Sequence, residues 1–288
     1  MEWHIIPTGR VWVEPGGALG LVPRPLWIEQ QPVDDQNRVP MDLNCLLIRS
    51  EGKTILVDTG IGDKLSEKEL GHWGLEWPEG TLAENLAKHG VQPQEVDIVV
   101  NSHLHSDHCG GNTQHVDGEA TPTFPNAEYW VQHLEFANAA NPDPRTRNTY
   151  LKENFEPVWQ RGQLKLLYGN TTITNQARCV VTRGHTRGHQ CVIIDEGGSP
   201  PVLFLADLAS YALHLTHTSW VTAYDVEPLE TIATKKRWQA WALENEALLV
   251  FQHDIYTRLG RLFRDKEGKF EVERVERGSG DRSASSSV

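Results

Sequence analysis

The sequence predicts a layered α/β domain, and three observations lead to this fold class. Short apolar runs of β-type composition alternate with helical segments along most of the chain. Polar residues repeatedly follow the ends of these runs, where active sites of α/β folds are built. The 288 residues are enough to bury a large core, and no linker divides them. We therefore expect a single domain over residues 1–277 and a flexible Gly/Ser-rich tail over residues 278–288.

Short apolar runs predict the strands of this domain. The first two runs form a hairpin, because the turn-forming residues 50–53 (SEGK) join them. The later runs are shorter, and most of them end just before a polar residue. In chain order, the strands are predicted at residues 39–49 and 54–57, on either side of this turn, and at residues 96–100, 127–131, 179–182, 191–195, 202–205 and 248–251.

Two segments have the pattern of amphipathic helices. Residues 81–89 (TLAENLAKH) form a short one. The longest predicted helix begins at Pro228, a residue favoured in the first helical turn. Its residues Leu229, Ile232 and Ala233 share one face.

Composition excludes several classes of protein. The 27 basic and 39 acidic side chains give a formal net charge of −12, which disfavours nucleic-acid binding. No apolar stretch approaches the length of about 20 residues that spans a bilayer, and the N-terminus does not resemble a signal peptide. The four cysteines are scattered without a CxxC pair. We expect a reduced, cytoplasmic protein that does not bind membranes.

The segment His103–His108 (HLHSDH) carries the strongest chemical signal. It places three imidazoles and a carboxylate within six residues, soon after a predicted buried strand. Zinc and similar divalent ions favour this donor set, and one tetrahedral ion does not easily use all four groups. Two ions can do so. A histidine-rich surface loop is the alternative, but such a loop does not usually follow a buried strand and precede a Gly-Gly turn.

Further donors follow three later strands. His185, Asp207 and His253 each come just after a short apolar run. Taken alone, each one fits a surface or packing role equally well. Together with the first motif, they complete two coordination shells.

These motifs resemble those of the metallo-β-lactamase superfamily, whose members are four-layer αββα metallohydrolases. The resemblance covers roughly residues 40–255, and the matching segments appear in the superfamily's order. They are VDTG, HLHSDHCGG, GHTRGHQ, FLADLAS and FQHD.

The resemblance implies a ligand set for two divalent ions per chain. Zinc is the expected metal, with iron, manganese and cobalt as alternatives. One ion would take His103, His105 and His185. The other would take Asp107, His108 and His253, with Asp207 bridging the pair.

Within the superfamily, the sequence is most similar to N-acyl-homoserine lactonases and the related organophosphate hydrolases. Zinc β-lactamases commonly have Cys where Asp207 stands, and flavodiiron proteins have Glu where His105 stands. The chain also departs from the lactonase pattern. The family often has Gly where Ala206 stands, and its substrate-orienting Tyr falls at Ser210, with Tyr211 one position later.

The expected reaction is opening of an N-acyl-homoserine lactone or a similar ester by a hydroxide held between the two ions. Asp107 or Asp207 would carry the proton to the leaving oxygen. One alternative is a phosphotriesterase or aryl esterase that uses the same metal site. Another, from a different class, is a non-catalytic metal-binding sensor protein.

Supporting residues follow from their positions near these motifs. Asp58 and His189 are expected to orient the ligands by hydrogen bonds, with a turn cap or a structural role as the alternatives. Residues expected near the substrate, with packing roles as the alternative, are Tyr211, His214, Trp27 and Trp220. The N-terminal segment with Trp3 and Trp12 is the candidate for a lid or a homodimer contact.

Overall fold

The computed structural model describes residues 1–276, which form two β-sheets packed face to face between helices. The predicted tail at residues 278–288 lies outside the described residues. Within residues 1–276, no helix is long and apolar enough to cross a membrane.

The strands have the following bounds. They are β1 (Glu2–Val13), β2 (Val39–Ser50), β3 (Lys53–Val57), β4 (Ile98–Val100), β5 (Thr113–Val116), β6 (Glu119–Pro122), β7 (Glu128–Gln132), β8 (Leu164–Leu167), β9 (Thr171–Thr174), β10 (Ala177–Val181), β11 (Gln190–Ile194), β12 (Val202–Phe204), β13 (Leu248–Val250), β14 (Leu259–Arg264) and β15 (Phe270–Arg274).

The α-helices are mostly short and connect the strands. They are α1 (Pro15–Ala18), α2 (Arg24–Trp27), α3 (Glu67–Trp73), α4 (Leu82–Lys88), α5 (Ser106–Cys109), α6 (His133–Ala140), α7 (Glu156–Gln160), α8 (Ala212–Thr216) and α9 (Pro228–Glu244).

The first sheet has the strand order β1-β2-β3-β4-β7-β8, and the second has the order β15-β14-β13-β12-β11-β10-β9. In the first, the β3–β4, β4–β7 and β7–β8 pairs are parallel, and the β1–β2 and β2–β3 pairs are antiparallel. In the second, the β12–β13 pair is parallel and the other pairs are antiparallel. Strands β5 and β6 form a separate hairpin.

Apolar side chains from both sheets fill the space between them. Leu46 and Val100 of the first sheet pack in one cluster with Phe204 and Val250 of the second. On the outer face of the first sheet lies Leu86 of α4, and on the outer face of the second lies Trp238 of α9. Helices therefore cover both outer faces, and the expected four-layer αββα sandwich is confirmed.

The hairpin predicted at residues 50–53 forms as β2 and β3. Its turn residues Glu51 and Gly52 both have positive φ angles, of 52° and 75°, as tight hairpin turns require. The predicted helix at residues 81–89 is α4, and Thr81 caps it by accepting a hydrogen bond from the Glu84 N–H.

The face of α9 that carries Leu229, Ile232 and Ala233 is not its buried face. Leu229 is 81% exposed, whereas Thr231, Lys235 and Gln239 are buried. This polar face packs against loop backbone: Lys235 Nζ donates to the carbonyls of His214 and Trp220, and Gln239 Nε2 donates to that of Leu215. Apolar periodicity does not reveal a helix face that binds carbonyl groups.

The N-terminal segment is a long strand rather than a lid. Strand β1 pairs antiparallel with β2 over most of its length and forms an edge of the first sheet. The indole of Trp3 is buried in the core between the sheets.

Candidate metal centre

Strand ends bring the sequence-predicted donors together. Strands β3 and β4 are parallel neighbours, and so are β12 and β13, so the carboxyl ends of each pair lie at one edge. Each donor except His185 follows such an end within a few residues, and His185 follows β10, which is antiparallel to both of its neighbours. In chain order, Asp58 follows β3, His103–His108 follow β4, His185 follows β10, Asp207 follows β12 and His253 follows β13.

The segment after β4 turns sharply into α5 and then into a Gly-Gly turn. Gly110 and Gly111 allow the backbone of this turn to pass close to the backbone of the loop after β3. A Cβ added at Gly110 would lie 2.1 Å from the carbonyl oxygen of Ile61, and one at Gly111 would lie 2.3 Å from that of Thr59. The loop after β3 is thus packed directly beneath the His103–His108 segment.

Three groups of donors, all buried except the half-buried Asp107, converge in the described part of the chain. The donor atoms within each group lie within 4.8 Å of one another. The groups are His103, His105 and His185; His103, His108 and Asp207; and Asp107, His108 and His253.

Two pairs of imidazole nitrogens meet at very short range. His185 Nε2 lies 3.1 Å from His105 Nδ1, and His253 Nε2 lies 3.3 Å from His108 Nε2. All four rings are at most 5% exposed. Ring nitrogens at this distance point at shared positions, as ligands of a common ion do.

The carboxylate of Asp207 lies between two imidazole groups, His105 with His185 and His108 with His253. Its Oδ2 is 3.1 Å from His185 Nε2, and its Oδ1 is 3.1 Å from His253 Nε2. Burial opposes its charge, but the neighbouring His253, His185 and His108 together hold the pKa of Asp207 well below its usual range. The side chain is therefore an anion that faces both groups at neutral pH.

The donor set fits a divalent metal. His103 Nε2 is buried, has no hydrogen-bond partner within residues 1–276, and lies 3.9 Å from Asp207 Oδ2. Burial and the neighbouring imidazoles lower the pKa of the His103 and His105 rings well below its usual value, so both are neutral. Neutral imidazoles and an ionised carboxylate are the forms that bind metals, so this donor set fits a divalent ion.

Asp58 lies behind His108, as the sequence predicts. Its Oδ2 is 3.0 Å from His108 Nδ1, and it also accepts hydrogen bonds from the N–H and hydroxyl of Ser102. The Ser102 hydroxyl in turn lies 3.1 Å from His103 Nδ1. One buried carboxylate thus fixes the orientation of two imidazoles.

Two partners of this kind escaped the sequence reasoning. Asp225 Oδ1 lies 2.8 Å from His185 Nδ1 and accepts a hydrogen bond from the Thr222 hydroxyl. The backbone carbonyl of Asp42, in β2, lies 2.8 Å from His253 Nδ1. Asp225 follows no strand, so the strand-end rule could not find it, and a backbone acceptor leaves no mark in a sequence.

His189 lies behind Asp207 and outside the three donor groups. Its Nε2 accepts a hydrogen bond from the Asp207 N–H, and its Nδ1 contacts the Thr182 hydroxyl. Ser210 donates its hydroxyl to Asp207 Oδ1 at 2.8 Å. The residue before Asp207 is Ala206, with a φ of 45°, a conformation that glycine adopts more easily.

Glu135, also absent from the sequence prediction, connects the two histidine loops. It is fully buried at the start of α6 and accepts hydrogen bonds from the Leu104 N–H, the Tyr150 hydroxyl and the Thr186 hydroxyl. Burial raises the pKa of this carboxyl despite these donors. Leu104 and Thr186 flank predicted metal ligands, so Glu135 fixes the spacing of the two loops.

A cleft opens over the donor cluster. His105, Asp107, His185 and Asp207 lie at its base. Other lining residues are Val13, Ala18, Met41, Trp73, Ser106, Asn148, Thr149, Ser210, Tyr211, Thr222 and Tyr224.

Tyr211 is the one sequence-predicted substrate residue that lines this cleft. Its side chain is buried, and its hydroxyl donates to the Pro40 carbonyl at 3.2 Å. His214, Trp27 and Trp220 are not among the lining residues. Trp27 packs in the apolar cluster around Tyr211, and Trp220 stacks on His217, so both have the packing role that was the alternative.

The sandwich and its buried His/Asp cluster together define the class of αββα metallohydrolases. The family model of the metallo-beta-lactamase superfamily matches residues 39–253, from the start of β2 to the last predicted ligand. The chain therefore belongs to the metallo-beta-lactamase superfamily.

Relatives with described functions are similar at modest identity. The chain is 27% identical over 224 residues to the N-acyl homoserine lactonase AttM of Rhizobium radiobacter, an alignment that covers 72% of this chain and 80% of AttM. The N-acyl homoserine lactonase of Bacillus cereus is 25% identical over 281 residues, covering 89% of this chain and 94% of that protein.

Solved structures share the whole fold. A protein from Staphylococcus aureus described as a probable metal-dependent hydrolase superimposes with a TM-score of 0.86 at 26% identity, covering 96% of this chain and 97% of that one. AidC, a dizinc quorum-quenching lactonase solved with the product N-hexanoyl-L-homoserine, gives a TM-score of 0.75 at 21% identity, covering 96% and 95%.

Proposed function

We propose that the protein is a dinuclear metal-dependent hydrolase that opens the ester bond of lactones, with N-acyl-homoserine lactones as its substrates. The similarity of its sequence to the N-acyl homoserine lactonase AttM, and of its fold to the lactonase AidC, supports this reaction. The four cysteines are all free and buried, which supports a reducing, cytoplasmic location.

The position of Asp207 is the observation that carries the proposal. Its two carboxylate oxygens face different imidazoles, of His185 and His253, at the same distance of 3.1 Å. A carboxylate placed in this way would supply a ligand to each ion of a two-metal site. We assign His103, His105 and His185 to one ion and Asp107, His108 and His253 to the other.

We propose zinc as the metal, with iron, manganese and cobalt as alternatives, because the donors are imidazoles and carboxylates without thiolate. When bound, the ions supply an activated water and polarise the carbonyl of the substrate. The remaining steps belong to side chains of the protein.

Asp107 is the better placed proton carrier of the two candidate carboxylates. Both oxygens of Asp207 are engaged, because Ser210 and His253 contact Oδ1 while His185 and His108 contact Oδ2. Asp107 lines the cleft and is 14% exposed, and its Oδ2 lies 3.6 Å from His108 Nε2. A carboxylate on the cleft side can take a proton and return it to the leaving oxygen of the ring.

The walls of the cleft favour a lactone with an acyl chain. Val13, Ala18, Met41 and Trp73 provide an apolar surface beside the donor cluster. Ser106 also lines the cleft and can bind a polar group of the substrate, whereas the hydroxyls of Thr149 and Thr222 donate to Thr146 and Asp225 and can only accept from it.

The test is turnover of a substrate panel by purified protein. We expect N-hexanoyl-homoserine lactone to be opened with a kcat/KM well above that of aryl esters or phosphotriesters, and a chelator to abolish the activity. A higher kcat/KM for phosphotriesters would favour the phosphotriesterase alternative. Bound metal without turnover of any of these substrates would leave only the metal-binding sensor.

A further inference from the structure

A second cavity adjoins the cleft over the donor cluster. It is lined by polar side chains and by Trp12, and its volume is about 400 Å³, against about 80 Å³ for the inner cleft. The polar residues around it are Glu14, Gln36, Arg38 and His72. We refer to this second cavity as the vestibule.

Three residues line both cavities and so form the boundary between them. They are Val13 of β1, Trp73 at the end of α3, and Tyr224 in the loop before α9. Two of the three are large aromatic side chains, which offer wide apolar faces to a ligand that passes between them. We call this boundary the neck.

The position of Tyr224 is fixed from both sides. Its neighbour Asp225 bonds to His185, so the loop is tied to the donor cluster. Arg145 donates to the carbonyls of Ala223 and Asp225 on either side of it, and the Ala223 N–H donates to the Gly17 carbonyl. These contacts hold the backbone on both sides of Tyr224, whose side chain lines both cavities and is 41% exposed.

Gly17 of α1 makes room for the tyrosine. A Cβ added at Gly17 would lie 2.2 Å from the Tyr224 hydroxyl oxygen and 2.6 Å from its Cζ. The φ of Gly17 is not positive, so alanine is compatible with its backbone. The substitution G17A would therefore displace the ring of Tyr224 without changing its chemistry.

We propose that the neck of Trp73 and Tyr224 determines the specificity for acyl-chain length, with a long chain passing between the two rings into the vestibule. The inference rests on the proposed lactonase function. A lactone ring with a short acyl group is held by the inner cleft alone. A chain that reaches further packs its methylenes against both rings, and its end lies among the polar residues of the vestibule.

The test compares two substrates in several variants. The kcat/KM for N-decanoyl- and N-butanoyl-homoserine lactone is measured in the wild type, Y224A, Y224F, W73A and G17A. Loss of about 50 Å² of apolar contact lowers the decanoyl-to-butanoyl ratio about tenfold, so Y224A, W73A and G17A should show this change. Y224F keeps the ring and should keep the ratio.

Matched controls are W159A and Y168A, which remove exposed aromatic side chains outside both cavities. Both should leave the ratio unchanged. If Y224A does not fold, G17A reports on the same ring. An unchanged ratio in Y224A, W73A and G17A, with both lactones still opened, would overturn the neck while leaving the lactonase function standing. A wild type that opens neither lactone would overturn both.

Discussion

Asp225 provides the sharpest test of how the protein holds its metal. The substitution D225A removes the acceptor for His185 Nδ1, which lies 2.8 Å from Asp225 Oδ1. His185 is 1% exposed, so water does not replace the lost partner. The imidazole is then free to rotate, and its Nε2 no longer stays 3.1 Å from Asp207 Oδ2.

The expected loss follows from the cost of an unpaired buried donor. An unsatisfied buried polar group costs about 1–3 kcal/mol, and each 1.4 kcal/mol corresponds to a factor of about ten. Removing the partner of a metal-bound histidine lowers metal affinity or activity by about 10- to 100-fold. We therefore expect a loss of metal affinity in this range for D225A.

The assay is competition for metal with a chromophoric chelator, alongside lactone turnover at saturating metal. D225N keeps an oxygen acceptor for His185 and should lose less than D225A. The control is D97A, because Asp97 accepts from the Thr54 N–H at the opposite end of the first sheet. If D225A binds metal as tightly as the wild type, the hydrogen bond between Asp225 and His185 does not contribute to metal binding.

Three further predictions concern other positions. D58N should weaken metal binding about tenfold in the same chelator competition, because the amide is a poorer acceptor for His108 Nδ1, and unchanged binding would contradict this. S210A should lower kcat less than tenfold with little effect on metal content, because it removes one hydrogen bond to Asp207 Oδ1 but no predicted metal ligand. Loss of metal from S210A would contradict this prediction. Burial lowers the pKa of Lys235 from 10.5 to about 8, so between these pH values the unfolded chain binds more protons than the folded one. From pH 7 to pH 9.5, the free energy of unfolding of the wild type should therefore rise by about 2 kcal/mol relative to that of K235M, as measured by urea unfolding. A difference that stays constant over this pH range would show that the pKa of Lys235 is not lowered.

The donors could be predicted because strand ends concentrate them. The dense HLHSDH segment and three later residues each follow a short apolar run, and parallel pairing of β3 with β4 and of β12 with β13 brings such ends together. This pairing also explains why Asp58 lies at the cluster. The alternation of strands and helices was enough to indicate the layered class, and the resemblance of the motifs supplied the αββα order.

The residues that the sequence did not reveal depend on contacts between distant loops. Asp225 reaches His185 from 40 positions away, and Glu135 meets Leu104 and Thr186 only in the folded chain. Leu229, Ile232 and Ala233 share a face of α9 that is not the buried one, because the buried face combines Trp238 with polar side chains such as Lys235 and Gln239 that bind loop carbonyls. Strand β1 was missed because its burial alternates irregularly around a bulge between Pro7 and Arg10.

In the proposed reaction, two metal ions that share the carboxylate of Asp207 perform the hydrolysis. The most direct measurement is stepwise addition of Zn²⁺ to chelator-treated protein, with lactone turnover and bound metal recorded at each step. We predict that turnover requires two equivalents per chain and that D207A and H108A lose metal pairing and activity together. Full turnover at one equivalent of Zn²⁺, or full activity in either variant with one ion bound, would show that the reaction does not need two metal ions.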